Sequence, residues 1–232
     1  MRLTEILLNE VLLKEFWGEL EETLQIDETI TGKLATLLKA ADTQLFEPFG
    51  ITKDDTDKYV VVGSARFYLY PVLREAFKLT EPGDLDIVIP GEEQWQHLKG
   101  YLEEKGTWEK HKANWEKRVY RPTNEIEAFN AWKPQTVPGA KDFNVSSTEE
   151  IMKDSSVVDG YNFMSFRDIV DYKLKLNRKK EEEVTKLILK YRNSKNPKDK
   201  DEIVKGILKL VGEEEERSKE EQEKAVASIF GI

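Results

Sequence analysis

The sequence predicts an α+β fold, because segments that are typical of strands lie in the middle third of the chain, between helical segments. Two apolar runs carry the strand prediction: the β-branched residues 60–62 and the run at residues 85–89. Apolar residues spaced three or four apart predict helices on both sides of these runs. We therefore expect a mixed sheet flanked by helices, with N-terminal helices and a C-terminal helical segment.

This pattern divides the 232 residues into three parts. Residues 1–50 form an N-terminal helical segment that we expect to pack on the core, residues 51–145 form the core, and residues 146–232 form a C-terminal helical region. The length fits one domain or a core with a helical extension.

The first part contains two amphipathic patterns, at residues 4–24 and 30–41, and each predicts a helix. The polar residues 52–58 then predict a surface loop that leads into the first strand.

The core begins with the strand at residues 60–62, which ends in a tight turn at Gly63 and Ser64. Residues 67–79 are compatible with a helix, in which Pro71 predicts a kink or a restart. Residues 81–83 predict a turn into the second strand.

Another helix and another strand follow in the core. Apolar residues predict a helix over residues 91–105, and residues 125–130 alternate as in a strand. In that strand Ile126 and Ala128 lie on one face, with Glu125 and Glu127 on the other.

The last part is mainly helical. Prolines predict a loop at residues 133–144, and residues 147–150 resemble a capped helix start. A turn flanked by a short strand is expected at residues 157–160. The expected helices cover residues 166–191, 201–210 and 213–229.

Composition excludes several classes of function. The chain has no cysteine, so disulfides and thiolate metal sites are excluded. No apolar run reaches the ~20 residues that span a bilayer, so we expect a cytoplasmic protein without a membrane partner. The net charge of -9 argues against strong generic DNA binding.

Two carboxylates open the second strand of the core. Asp84 and Asp86 are two residues apart, so in a strand they point to the same face. Neighbouring carboxylates repel each other and lose hydration, and a bound divalent cation offsets both effects. The pair therefore predicts a metal site.

A strand that ends in Gly-Ser and is followed by Asp-x-Asp at the start of the next strand resembles the nucleotidyltransferase superfamily. Gly63 and Ser64 match the turn, and Asp84 and Asp86 match the metal pair. The resemblance implies a nucleotidyltransferase-like sheet, a turn that binds the phosphates of an NTP, and Mg²⁺ (or Mn²⁺) at the aspartates.

The family also has a third carboxylate on a later strand. Glu127 is the best match for it, as a metal ligand and catalytic group, and Glu125 is the alternative. The resemblance covers residues 60–129.

Residues 163–184 are similar to the helix that follows the core in abortive-infection and toxin-type nucleotidyltransferases. Ser165, Asp168 and Lys173 match its opening, and Arg178 matches its arginine, whereas Lys180 stands where that family has an aspartate. The resemblance implies that Lys173 contacts the nucleotide.

Two arginines are further candidates, besides Lys173, for neutralising the negative charge of the nucleotide. Arg66 or Arg178, with Lys173, would neutralise the triphosphate.

The resulting hypothesis is transfer of a nucleoside monophosphate from an NTP to a hydroxyl acceptor, either an RNA 3′ end or a protein side chain. A toxin–antitoxin or phage-defence role follows from the second resemblance. The alternative is a non-catalytic protein of the same fold that binds partners through its charged C-terminal helices. Lys180 favours this alternative, as does a connection from Ser64 to Asp84 that is longer than usual in the family.

Overall fold

The computed structural model describes residues 3–76, 79–105, 114, 118–131, 147–175 and 178–212. Two expectations fall outside this part of the chain: the loop at residues 133–144 and the helix at residues 213–229.

The described residues form an α+β fold with one mixed six-stranded sheet, which confirms the expected fold class. The strands are β1 (Val60–Val62), β2 (Leu85–Val88), β3 (Val119–Tyr120), β4 (Ile126–Phe129), β5 (Ser156–Val158) and β6 (Tyr161–Phe163). Their order across the sheet is β3-β4-β2-β1-β6-β5.

Helices precede, interrupt and follow the strands. The α-helices are α1 (Leu3–Thr23), α2 (Gly32–Ala41), α3 (Pro71–Ala76), α4 (Glu92–Lys105), α5 (Thr148–Lys153), α6 (Phe166–Lys175), α7 (Arg178–Asn193) and α8 (Pro197–Gly212). A π-helical turn (Asp42–Phe46) extends α2, and a 3-10 helix (Gly63–Leu69) follows β1. The helix expected over residues 166–191 corresponds to α6 and α7, which lie on either side of residues 176–177, outside the described part.

Pairing in the sheet aligns the ends of four strands at one edge. β1 runs antiparallel to β2 and parallel to β6, and β2 runs parallel to β4. The C-terminal ends of β1 and β6 therefore lie beside the N-terminal ends of β2 and β4. This edge carries Asp86 and Glu127, with Gly63 directly after β1 and Asp84 directly before β2.

The connection after β1 confirms the predicted restart at Pro71, but the helix expected over residues 67–79 is divided between a 3-10 helix and the short α3. The 3-10 helix ends at Leu69, and α3 begins at Pro71, as the predicted restart requires. Proline suits the first turn of a helix, where its missing N–H has no intrahelical partner.

The N-terminal helices contact both the sheet and the C-terminal helices. α1 packs against α6 and α7, while α2 packs against β2. At the first of these contacts the Trp17 ring meets the Phe166 ring edge-on, with centroids 6.0 Å apart, and both side chains are buried.

Strand β6 lies between β1 and β5 in the sheet, although the sequence predicts only a turn and a short strand there. Its central residue, Asn162, is buried, and its amide donates hydrogen bonds to the carbonyl oxygens of Thr56 and Tyr59. A buried polar group needs such partners. Among the described residues, no helix is long and apolar enough to cross a membrane.

Candidate active site

The register of the sheet places three predicted site residues in adjacent positions. Asp86 lies opposite Val62, the last residue of β1, and beside Glu127 of the parallel strand β4. Side chains at paired positions of neighbouring strands point to the same face of a sheet. The alternation of the two strands thus brings Asp86 and Glu127 together, with Asp84 just before β2.

Gly63 lies directly against this group. Its φ of +73° is in the left-handed region, which glycine adopts without a steric penalty. A Cβ atom added there would lie 3.4 Å from Oδ2 of Asp86. The chain therefore turns out of β1 with its backbone next to the carboxylate, and Ser64 follows in a half-buried position.

The three carboxylates interact electrostatically. Burial of Asp86 raises its pKa to about 7, with further increases from the charges of Asp84 and Glu127, while Arg121 acts in the opposite direction. Asp84 is exposed, and Asp86 and Glu127 are half-buried. Burial is therefore the main cause of the raised pKa of Asp86, and the neighbouring negative charges add to it.

Arg121 provides the positive charge that faces these carboxylates. Its Nη2 atom lies 2.5 Å from Oε1 of Glu127. Oε1 is nevertheless buried without a partner in hydrogen-bond geometry, so the contact is an ion pair with poor alignment. Local sequence patterns do not identify Arg121 as a site residue, since its position depends on the pairing of β3 with β4.

The donor chemistry of Asp84, Asp86 and Glu127 suits Mg²⁺, which takes oxygen ligands. The buried, poorly partnered Oε1 of Glu127 also suits a cation. Within the described ranges, however, no three acidic or histidine side chains are arranged to hold a metal ion. The three carboxylates interact electrostatically, but their oxygen atoms are not arranged around a common point. The side chains would have to turn toward one another to bind one ion.

The two glutamates of β4's N-terminal end have different surroundings. The Glu125 carboxylate is 52% exposed and forms an ion pair with Lys33, with 2.9 Å between Oε1 and Nζ. The Glu127 side chain is 17% exposed and contributes to the raised pKa of Asp86. Of the two alternatives, the structure places Glu127 with the aspartates.

Arg66 occupies a different place from the one expected of a nucleotide contact. It is 3% exposed, and its Nη2 donates to Oε1 of Glu21 at 3.1 Å. The same Oε1 accepts hydrogen bonds from the Tyr70 hydroxyl and from the backbone N–H of Phe166. The Glu21 carboxylate thus joins α1 to the 3-10 helix, through Arg66, and to the start of α6, through Phe166.

Lys173 lies beside the 3-10 helix that begins at Gly63. Its Nζ is 5.2 Å from the centre of the Phe67 ring, a cation–π distance. At the start of α6, the Ser165 hydroxyl donates to Asp168 Oδ2 at 2.7 Å and accepts from the Asp168 N–H at 3.1 Å. This reciprocal pair caps the helix, which accounts physically for the Ser165 and Asp168 spacing. The side chain of Arg178 lies outside the described part.

A cavity of about 190 Å³ lies at the same edge, between the start of α2 and the segment that leads into β2. Lys33, Tyr68, Arg74 and Pro82 are among its lining residues. Asp84, Asp86 and Glu127 do not line this cavity, so it lies next to the candidate site and is not part of it.

Comparisons with protein-family models, with curated proteins and with solved structures found no match to this chain.

Proposed function

We propose that the chain is a Mg²⁺-dependent nucleotidyltransferase that transfers a nucleoside monophosphate from an NTP to a hydroxyl acceptor. The observation that carries this proposal is the pairing of Asp86 with Glu127 across β2 and β4, with Gly63, the residue after β1, directly against Asp86. Crowded carboxylates beside a tight glycine turn are costly for stability, and cation and phosphate binding would offset that cost.

In this proposal Asp84, Asp86 and Glu127 hold the metal. Mg²⁺ bound by these residues would stabilise the negative charge that develops on the phosphate oxygens during transfer. The backbone at Gly63 and Ser64 leaves space for a phosphate group to approach, because glycine has no side chain. Lys173 is the candidate cation for the triphosphate, since it lies beside the helix that starts at this turn.

The proposed acceptors are an RNA 3′ end and a protein side chain. Attack of the acceptor hydroxyl on the α-phosphate forms the new P–O bond and breaks the bond to pyrophosphate. The half-buried Glu127 is the candidate base for the hydroxyl proton.

The test compares four proteins: wild type, Asp86→Asn, Glu127→Gln and Glu125→Gln. Each is incubated with the four α-³²P-labelled NTPs, Mg²⁺ and cell extract, and label in RNA and protein is measured. We expect transfer by wild type and Glu125→Gln, and at least a ~100-fold loss in the other two variants, which corresponds to ~2.7 kcal/mol of transition-state stabilisation. Circular dichroism verifies folding. Equal transfer by Asp86→Asn and wild type would contradict the proposal.

A second candidate function is a non-catalytic protein that binds partners through α7 and α8. It is favoured by the absence, among the described residues, of side chains already arranged around a metal ion. This function predicts that the wild type binds neither Mn²⁺ nor NTP, and that Asp84→Asn and Asp86→Asn behave like wild type in calorimetric titrations.

A further inference from the structure

Arg121 belongs to the same cross-strand row as the carboxylates. Tyr120 of β3 pairs with Ala128 of β4 in antiparallel register, so the next position, Arg121, lies opposite Glu127. Glu127 in turn lies beside Asp86. The row therefore reads Arg121, Glu127, Asp86 across three neighbouring strands, and the arginine lies at its outer end.

The balance of charge in this row leaves the carboxylates only partly neutralised. Asp84, Asp86 and Glu127 carry up to three negative charges, and Arg121 forms an ion pair with Glu127. One guanidinium cannot compensate all three carboxylates, whereas a divalent ion supplies twice its charge at a shorter range.

The two ends of this ion pair differ in their exposure to solvent. The arginine side chain is 46% exposed, and its contact with Glu127 lacks hydrogen-bond geometry. The Glu127 side chain is only 17% exposed, so an incoming cation must replace the arginine there, because an unpaired buried charge is costly. A guanidinium released from Glu127 would remain solvated at the surface.

We propose that Arg121 is the counter-ion of the carboxylates in the metal-free protein and that a divalent cation replaces it at Glu127. Arg121 is then a positioning residue that keeps Glu127 at the site and competes with the metal. This inference rests on the proposed metal site, and it adds a residue that sets the metal affinity.

Arg118 offers a matched control. It lies three residues before Arg121, is similarly exposed, and forms an ion pair with Glu92 of α4 instead of with the site. Replacing either arginine by glutamine removes one positive charge from the same segment. The difference between the two variants isolates the contact with Glu127 from the change in net charge.

The experiment titrates Mn²⁺ alone, without nucleotide, into wild type, Arg121→Gln, Arg121→Lys and Arg118→Gln. Free Mn²⁺ is measured by electron paramagnetic resonance, and calorimetry provides a second readout. We expect Arg121→Gln to bind Mn²⁺ about three- to tenfold more tightly than wild type, because a competing positive charge is removed. Arg121→Lys and Arg118→Gln should stay within about twofold of wild type.

Each outcome decides between the two proposals. Mn²⁺ binding to wild type with an unchanged or weaker affinity in Arg121→Gln would overturn the exchange and leave the metal site standing. An Arg121→Lys variant that binds as tightly as Arg121→Gln would also overturn it, because the lysine keeps the charge. Failure of all four proteins to bind Mn²⁺ would overturn both the exchange and the proposed metal site.

Discussion

Two charged clusters in this molecule differ in how their charges are compensated. In the cluster around Glu21, one carboxylate oxygen accepts three hydrogen bonds, from Arg66, Tyr70 and the N–H of Phe166. In the carboxylate row, Asp86 and Glu127 share one poorly aligned arginine, and the pKa of Asp86 is raised to about 7. In the first arrangement the charges are paired, although Nη1 of Arg66 is buried without a hydrogen-bond partner. The second is costly for the fold, as is typical of functional sites.

The largest expected effect comes from breaking the Glu21 cluster. Arg66→Ala leaves Glu21 without its cation in a mostly buried position, so we expect a loss of about 3–5 kcal/mol in the free energy of unfolding. Urea denaturation measures it. The double variant Glu21→Gln/Arg66→Met removes both charges and should recover part of the loss. A stability of Arg66→Ala equal to wild type would show that the cluster does not hold α1 to α6.

The carboxylate row should respond in the opposite direction. Without divalent ions at pH 8, we expect Asp86→Asn to be more stable than wild type by about 2 kcal/mol, after allowing for partial exposure. The measurement is urea denaturation in chelator, and a destabilised Asp86→Asn would contradict the comparison.

The same substitution should change how stability depends on pH. The pKa of Asp86 is about 7 in the folded protein, compared with the ordinary value of 3.8 for an aspartate. Between those pH values Asp86 binds more protons in the folded than in the unfolded state. Its contribution to the free energy of unfolding therefore falls as pH rises from about 4 to about 7, and it is constant above pH 7. The stability difference between Asp86→Asn and wild type should therefore grow over that range. A difference independent of pH would contradict the burial of Asp86.

A smaller effect is expected at the turn beside the row. Gly63→Ala places a side chain at a φ of +73°, which we expect to cost about 1–2 kcal/mol. The added Cβ contacts Asp86 Oδ2 at an ordinary van der Waals distance of 3.4 Å, so backbone conformation is the main cause. Thermal unfolding measures the loss. Gly83→Ala, where nothing lies within 4 Å of the added Cβ and φ is not positive, is the matched control.

The smallest effect belongs to the ion pair next to the row. Lys33 and Glu125 are 2.9 Å apart, but both side chains are accessible to solvent. We expect Glu125→Gln to change the free energy of unfolding by less than ~1 kcal/mol. A change larger than that of Gly63→Ala would mean that Glu125 belongs to the carboxylate row.

Local patterns in the sequence predict most of the elements at the site. The runs at β1 and β2, the alternation of β4 and the restart at Pro71 each depend on neighbouring residues, and the structure confirms them. The sequence does not distinguish β6 from its turn, because a run of three residues is too short for its alternation to indicate a strand. The chain partner of Asn162 is over 100 residues away.

Predicting the site itself required pairings that local patterns do not specify. The alternation places Glu127 on a face, but only the parallel pairing of β2 with β4 places it beside Asp86. Arg66 follows Gly63 closely in sequence, yet its ion-pair partner, Glu21, is 45 residues away, so proximity to the turn gave no information about its role. Arg121 was missed for the same reason.

The hydrogen bond from the Phe166 N–H to Glu21 spans 145 residues of chain. Helix α1 packs on α6 and α7, so its apolar side chains find their partners only after those helices have been synthesised. At about 5–20 residues per second, the ribosome needs roughly 7–30 s to make the intervening chain. During that interval the apolar side chains of α1 lack these partners and are open to chaperones and to other nascent chains.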